Sequence, residues 1–259
     1  MKTREEYSVL LTAEELCTLA GMLGQSWLFA VDGKTLRAWR SDVPHRVVCA
    51  AERMERRGLL DFELNGTLRL RPELRQLMER LSKPERVLVH TGTSAGKHET
   101  TYYLGSGERW AVVTRPETDC YRLALCAARE AERRLCGRLP PPLDPVETAL
   151  PLREARGIQE RLASFQEDEA RKRLLRTVGA PQTAQFVRGL LTRTNRLLAL
   201  RLLVRRGGCY FPTENCLVSY DDTHAAELRL TEDDRLLLRT YSPDALRGVL
   251  RRFLYGGTP

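Results

Sequence analysis

Five prolines between positions 140 and 151 (Pro140, Pro141, Pro142, Pro145 and Pro151) cut the chain near its middle. Proline lacks the amide proton and clashes with the preceding turn, so the spacing forbids a helix through 137–157. The rest of the chain has to be built on either side of this break. On each side the pattern has the same order: helices, runs of strand-forming residues, then a helix. The first side opens with a capping box, Thr12 followed three positions later by Glu15, and an apolar stripe of Leu16, Leu19, Ala20 and Leu23 up to Gly24. A helix over 44–57 follows, with Pro44 near its start, Val47, Val48, Ala51 and Met54 on one face, and Gly58 after it. Alternation over 59–70 around Asn65-Gly66 predicts a hairpin, because both central positions of its turn need positive φ. A further helix is expected over 72–82.

The runs 86–90, 100–104 and 109–115 carry Val87, Val89, Tyr102, Leu104, Trp110, Val112 and Val113 between glycine-rich turns. Short turns between such runs predict an antiparallel meander. Leu123, Ala127, Ala131 and Leu135 keep helical spacing, which predicts one long helix over 117–137, capped by Thr118 or Asp119. Beyond the break, helices are expected over 158–178 and 180–193, split by Gly179-Ala180-Pro181. Strand runs follow at 197–205, 209–211, 216–220, 226–230 and 235–240. Ser242 caps a last helix carrying Leu246, Val249, Leu250 and Phe253. Strands in runs and helices in runs define an α+β class. The expected architecture is two pseudo-symmetric halves, each an antiparallel meander flanked by helices. They span 1–139 and 158–259, joined by a Pro-rich strap at 140–157.

Composition narrows the function classes. The 259 residues are 42% hydrophobic and 29% charged, enough apolar material for a packed core. Lys and Arg outnumber Asp and Glu by 42 to 34, a net charge of +8. Acids stand beside the arginines almost everywhere, as in Arg53-Met54-Glu55-Arg56-Arg57, so mixed-sign helix faces are expected more than a phosphate track. No run approaches the roughly 18 apolar residues of a membrane helix, and no signal peptide is read at the start. A cytoplasmic protein is therefore expected. The seven cysteines contain no Cys-x-x-Cys pair, and most sit among apolar neighbours. Reduced thiols fit that compartment, although Cys209 and Cys216 lie close enough in sequence to bridge a hairpin.

No catalytic, metal or cofactor constellation emerges. Gly92-Thr-Ser-Ala-Gly96-Lys97 is one residue short of a phosphate-binding loop, lacks Ser or Thr after the lysine, and joins two strands. Asp221, Asp222 and His224 crowd one stretch, but Asp-Asp-Thr is a good turn sequence. Ser94 lies in no nucleophile-elbow pattern. His90 and His98 flank the meander's first hairpin and are expected to be exposed. One alternative class remains: helix, helix and small hairpin is also the order of a winged helix. In that reading 44–57 is a DNA-recognition helix carrying Arg46, Arg53, Arg56 and Arg57, with Glu52 and Glu55 facing the phosphates.

Three segments carry a family resemblance. Leu11-Thr-Ala-Glu-Glu-Leu-Cys-Thr-Leu-Ala-Gly-Met-Leu-Gly24 resembles the opening helix of the EspG family, chaperones of type VII (ESX) secretion. Ala51-Glu-Arg-Met-Glu-Arg-Arg-Gly-Leu-Leu60 is similar to that family's next helix, which typically ends Leu-x-x-Arg-Gly-Leu. Pro72-Glu-Leu-Arg-Gln-Leu-Met-Glu-Arg-Leu-Ser-Lys-Pro84 resembles the segment leading into its first strand. The resemblance implies a non-enzymatic binding protein that holds a hydrophobic tip of a helical secretion substrate in a cleft of central sheet and later helices. Tyr102, Leu104 and Trp110 of the first meander and Leu217, Val218 and Tyr220 of the second are the candidate partner contacts. The chain departs from the family pattern in its basic charge and its Pro-rich strap.

Overall fold

A computed structural model describes residues 7–25, 27–31, 43–63, 68–94, 97–141, 144–192 and 196–256. Its elements are β1 (Ser8–Thr12), α1 (Ala13–Met22), α2 (Val43–Arg56), β2 (Leu60–Phe62), β3 (Leu68–Leu70), α3 (Pro72–Ser82), β4 (Arg86–Ser94), β5 (Lys97–Ser106), β6 (Arg109–Glu117), β7 (Cys120–Ala127) and α4 (Ala128–Cys136). The second run comprises β8 (Glu147–Pro151), α5 (Leu152–Ala163), α6 (Glu167–Val178), α7 (Pro181–Leu191), β9 (Arg196–Arg206), β10 (Cys209–Tyr220), β11 (Ala225–Leu230), β12 (Arg235–Thr240) and α8 (Pro243–Tyr255).

Ten strands form one sheet in the order β1-β7-β6-β5-β4-β9-β10-β11-β12-β8, and β2–β3 pair separately. Each edge strand, β1 or β8, lies beside the last strand of the meander that belongs with it, β7 or β12. Among the described residues an edge strand (β1 or β8), a set of three helices (α1–α3 or α5–α7), a four-stranded meander and a closing helix (α4 or α8) occur twice. The protein is thus α+β, with the repeat legible in its topology.

The contacts divide the chain into two compact units that are not contiguous in sequence. One comprises Met1–Val89, Thr100–Ala128 and Leu202–Pro212, the other His90–Glu99, Arg129–Arg201 and Thr213–Pro259. In the first unit Leu16, Leu19, Met54, Leu74, Leu77 and Leu81 pack on the strand residues Leu11, Val87, Leu104, Ala111, Val113 and Leu123. Trp110 and Val112 alternate with that inward set along β6 and are buried as well, so both faces of β6 are covered. In the second unit Ile158, Leu174, Val187 and Leu190 of α5–α7 pack with Leu150, Ala226 and Leu238 of β8, β11 and β12.

The local signals place α1, α2, α3 and α8 as expected. Thr12 Oγ1 accepts from Glu15 N–H at 3.2 Å while Glu15 Oε2 accepts from Thr12 N–H at 2.9 Å, and Ser242 caps α8 through Ala245 N–H at 3.1 Å. The strands β2 and β3 form a hairpin, and its Asn65-Gly66 turn lies outside the described residues. Three expectations are corrected. The long helix over 117–137 is a turn, the strand β7 and the short helix α4. Alternation of Tyr121 and Leu123 into the core serves a strand paired on both sides, with β6 and β1, and this sheet burial overrides the helical spacing. The helix expected over 158–178 starts earlier, at Leu152, and breaks at Ser164–Gln166. The strap is not irregular throughout. Residues 147–151 form an edge strand paired with β12, and residues 152–157 begin α5. Pro151 is tolerated because it ends an edge strand and precedes the first helical residue. The apolar run at 8–11 was likewise not read as a strand, and it forms β1.

Candidate functional site

In the first unit Gly24 lies two residues past the end of α1, and its φ of 65° is a left-handed value that favours glycine. The chain then turns and presents Trp27, Leu28 and Phe29. Leu28 is fully buried, and Phe29 N–H donates to Leu81 O at 2.8 Å, so this loop is pinned to the end of α3. Phe29 becomes the centre of an aromatic cluster. Its ring lies 5.0 Å from Trp27, 5.0 Å from Tyr210 and 6.2 Å from Tyr102, each in an edge arrangement. Trp27 and Tyr210 are 6.2 Å apart. The Tyr210 hydroxyl donates to Pro84 O at 2.8 Å, which fixes the far side of the cluster. Trp27 is nonetheless 44% exposed. The result is a large apolar ring seated at the surface on partly buried aromatic neighbours.

One basic group, Arg205, borders this patch. Gly207 (φ 55°) and Gly208 (φ 86°) form the two-residue turn between β9 and β10. A two-residue turn of this hand places Arg205 opposite Tyr210 and Arg206 opposite Cys209. Arg205 and Arg206 are exposed, with no acidic partner among the described residues. Burial raises the Tyr210 phenol above its ordinary value, against the pull of the nearby Arg205 charge.

The six strand residues expected from the sequence fare unequally. Tyr102 belongs to the aromatic cluster and is half-buried. Leu217 is 38% exposed. Leu104 and Val218 are fully buried, and Trp110 is fully buried with its indole N–H donating to Gly107 O at 2.9 Å. Tyr220 is buried, with the Arg196 guanidinium 5.9 Å from its ring centre. Leu104, Trp110 and Val218 therefore serve the core, because their side chains expose no area for a partner to cover. Trp27, Phe29 and Tyr210 were not singled out from the sequence. The available signal was three bulky apolar residues just after a helix-stopping glycine.

The second unit offers different features. A groove of about 290 Å³ between α6 and α7 is lined by Leu174, Leu175, Pro181 and Ala184, with Arg171 and Arg188 at its rim. Phe165, at the α5–α6 corner, is 92% exposed and holds a φ of 58°. A depression of about 790 Å³ along α5 is mixed in charge: Arg153, Arg156, Arg161 and Arg173 face Glu160 and Asp233. Arg173 is tied to Glu154 by two bonds of 2.6 and 2.8 Å.

His90 is fully buried, which corrects the expectation that it is exposed. Its Nε2 is 3.4 Å from Arg138 Nη1, and its Nδ1 has no hydrogen-bond partner among the described residues. Burial first, and the Arg138 charge second, push its pKa down to about 4. Gly92 lies against this pair, and a Cβ there would sit in ordinary contact, 3.4 Å from His90 and Arg138. His98 is exposed, as expected, and bonds Thr93 at 2.9 Å. The Asp221 carboxylate accepts from Thr223 N–H and His224 N–H at 2.6 Å each, which closes a turn. Burial pulls its pKa up, and these backbone bonds, with the Thr223 hydroxyl, outweigh that and lower it. Asp222 instead pairs with Arg196 at 2.8 Å. Among the described residues no group of three His, Cys, Asp or Glu side chains is placed to hold a metal ion. All seven cysteines are free thiols, Cys209 and Cys216 included.

The DNA-recognition reading of α2 meets an obstacle in its own arginines. Arg57 bonds Glu15 at 3.0 Å and caps Leu10 O at 2.5 Å, and Arg53 pairs with Glu14 at 2.9 Å. Two of the four cations are thereby held by α1 and β1.

No protein-family model matches the chain, and no curated protein matches it. Solved structures do. The type VII secretion system chaperone EspG5 of Mycobacterium tuberculosis, solved in complex with a PE25–PPE41 dimer, aligns with a TM-score of 0.63 at 11% identity. The alignment covers 98% of this chain and 97% of EspG5. At that identity the likeness is one of fold, and the fold is that of EspG5 from end to end, in keeping with the resemblance read from the sequence.

Proposed function

We propose that this protein is a cytoplasmic chaperone or adaptor that binds helical substrates of a type VII (ESX-like) secretion system. The observation that carries the reading is the two-way coverage of the EspG5 likeness, 98% of this chain and 97% of EspG5. EspG5 is itself a chaperone, captured holding a two-protein partner. The half-exposed Trp27 supports binding in place of catalysis, since aromatic anchors of this kind dominate protein interfaces. Among the described residues no helix is long and apolar enough to cross a membrane.

The test is co-expression with the small helical secretion substrates encoded beside its gene, followed by co-purification and light scattering of the eluted species. A stoichiometric complex with one of them is expected. If none co-purifies, the reading fails.

A further inference from the structure

The geometry points to the Trp27–Phe29–Tyr102–Tyr210 patch, with Arg205 on its border, as a docking surface for an amphipathic helix that carries carboxylates beside its apolar face. The inference deepens the proposed function by naming a surface and a charge class for the partner, and it rests on that reading for the helical form of the occupant.

Three observations combine. Trp27 exposes nearly half of its ring, yet the loop that carries it is fixed by the buried Leu28 and by the Phe29 bond to Leu81 O. Such an anchor loses little conformational freedom when covered, so most of the gain from its burial appears as affinity. Its floor is aromatic and itself locked, by edge contacts at 5.0 Å and by the Tyr210 bond to Pro84 O. Finally, the border is cationic and uncompensated. Arg53 of α2, Arg57 just after it and Arg173 of α6 are each tied to a glutamate, whereas Arg205 has no acidic partner among the described residues. An apolar helix face flanked by carboxylates satisfies ring and guanidinium together, and a lysine-flanked helix is repelled by the same border.

A fluorescein-labelled three-heptad helix with leucine on one face and glutamate along both flanks serves as the probe, beside its lysine-flanked twin. In anisotropy titrations the glutamate helix is expected to bind at least about tenfold more tightly than the lysine helix, a gap that narrows in high salt. Trp27→Ala should weaken the glutamate helix by about tenfold or more. The charge reversal Arg205→Glu, at an exposed side chain, should erase its preference over the lysine helix. Unchanged circular dichroism and melting certify that both variants fold. Equal binding of the two helices, no binding of either, or affinities within about twofold of wild type for both variants overturns the inference. The two proposals also fail separately. Secretion substrates that co-purify equally with wild type and Trp27→Ala sink this surface and leave the chaperone reading standing. Binding of the glutamate helix at Trp27 without any co-purifying substrate does the reverse.

Discussion

Acidification should destabilise this protein through His90 well before its carboxylates protonate. The imidazole is fully buried, with one ring nitrogen unpartnered and a guanidinium 3.4 Å from the other, and its pKa falls from 6.5 to about 4. In the unfolded chain the ring takes a proton near pH 6.5, whereas in the folded chain it stays neutral down to about pH 4. Stability is therefore complete above pH 6.5 and drains as pH falls toward 4, because the unfolded state binds the proton first. Each pH unit in that window removes about 1.4 kcal/mol. The loss is about 2 kcal/mol between pH 7 and pH 5, and about 3 kcal/mol by pH 4. Urea unfolding followed by tryptophan emission, at closely spaced pH values, measures it. His90→Gln supplies the comparison, since it keeps a neutral polar side chain and removes the titration. The difference between the two stability curves should shrink by about 2 kcal/mol from pH 7 to pH 5. Parallel curves, within about 0.5 kcal/mol, or a His90 ring proton that titrates near its ordinary value in the folded protein, would refute the argument.

Other side chains give sharper local tests. Glu132 is 6% exposed and accepts from Arg251 Nε at 3.1 Å with Arg247 Nε at 3.2 Å, so Glu132→Ala should lower unfolding stability by about 1–2 kcal/mol. A larger loss is not expected because both guanidiniums are more than a third exposed and rehydrate. Thr12→Ala removes one half of the α1 capping box and should reduce stability by about 1 kcal/mol, read from the urea midpoint. Phe165 strains the α5–α6 corner at φ 58° while burying almost nothing. Phe165→Asn should therefore raise the thermal midpoint of the protein, by about 0.5–1 kcal/mol in stability, and a drop would show that the ring is used in the folded monomer.

Most single elements could be read from the chain because their causes are local. A threonine with a glutamate three residues on starts α1, Ser242 starts α8, and Gly58 ends α2 whatever the rest of the molecule does. The meander and the repeat of pattern about the prolines belong with these. The stretch 117–137 shows where local reading stops. Leu123, Ala127, Ala131 and Leu135 satisfy helical spacing, and Tyr121 and Leu123 also satisfy strand spacing. Only a sheet with neighbours on both sides of residues 120–127 chooses between them. The prolines of the joint equally suit a loose strap or an edge strand, and β12 settles the matter by pairing with 147–151.

The sequence by itself determined the class: two runs of helix and antiparallel strand, each rich enough in apolar residues to bury a core. The tertiary structure alone decided which apolar residues are surface. Leu104, Trp110 and Val218 look as available in the chain as Tyr102 and Leu217, yet coverage of both sheet faces buries them. Trp27 reads as an ordinary loop residue until Phe29 and Tyr210, one from a loop after α1 and the other from β10, meet beneath it. Exposure is set by what arrives from distant parts of the chain, and no local spacing encodes it.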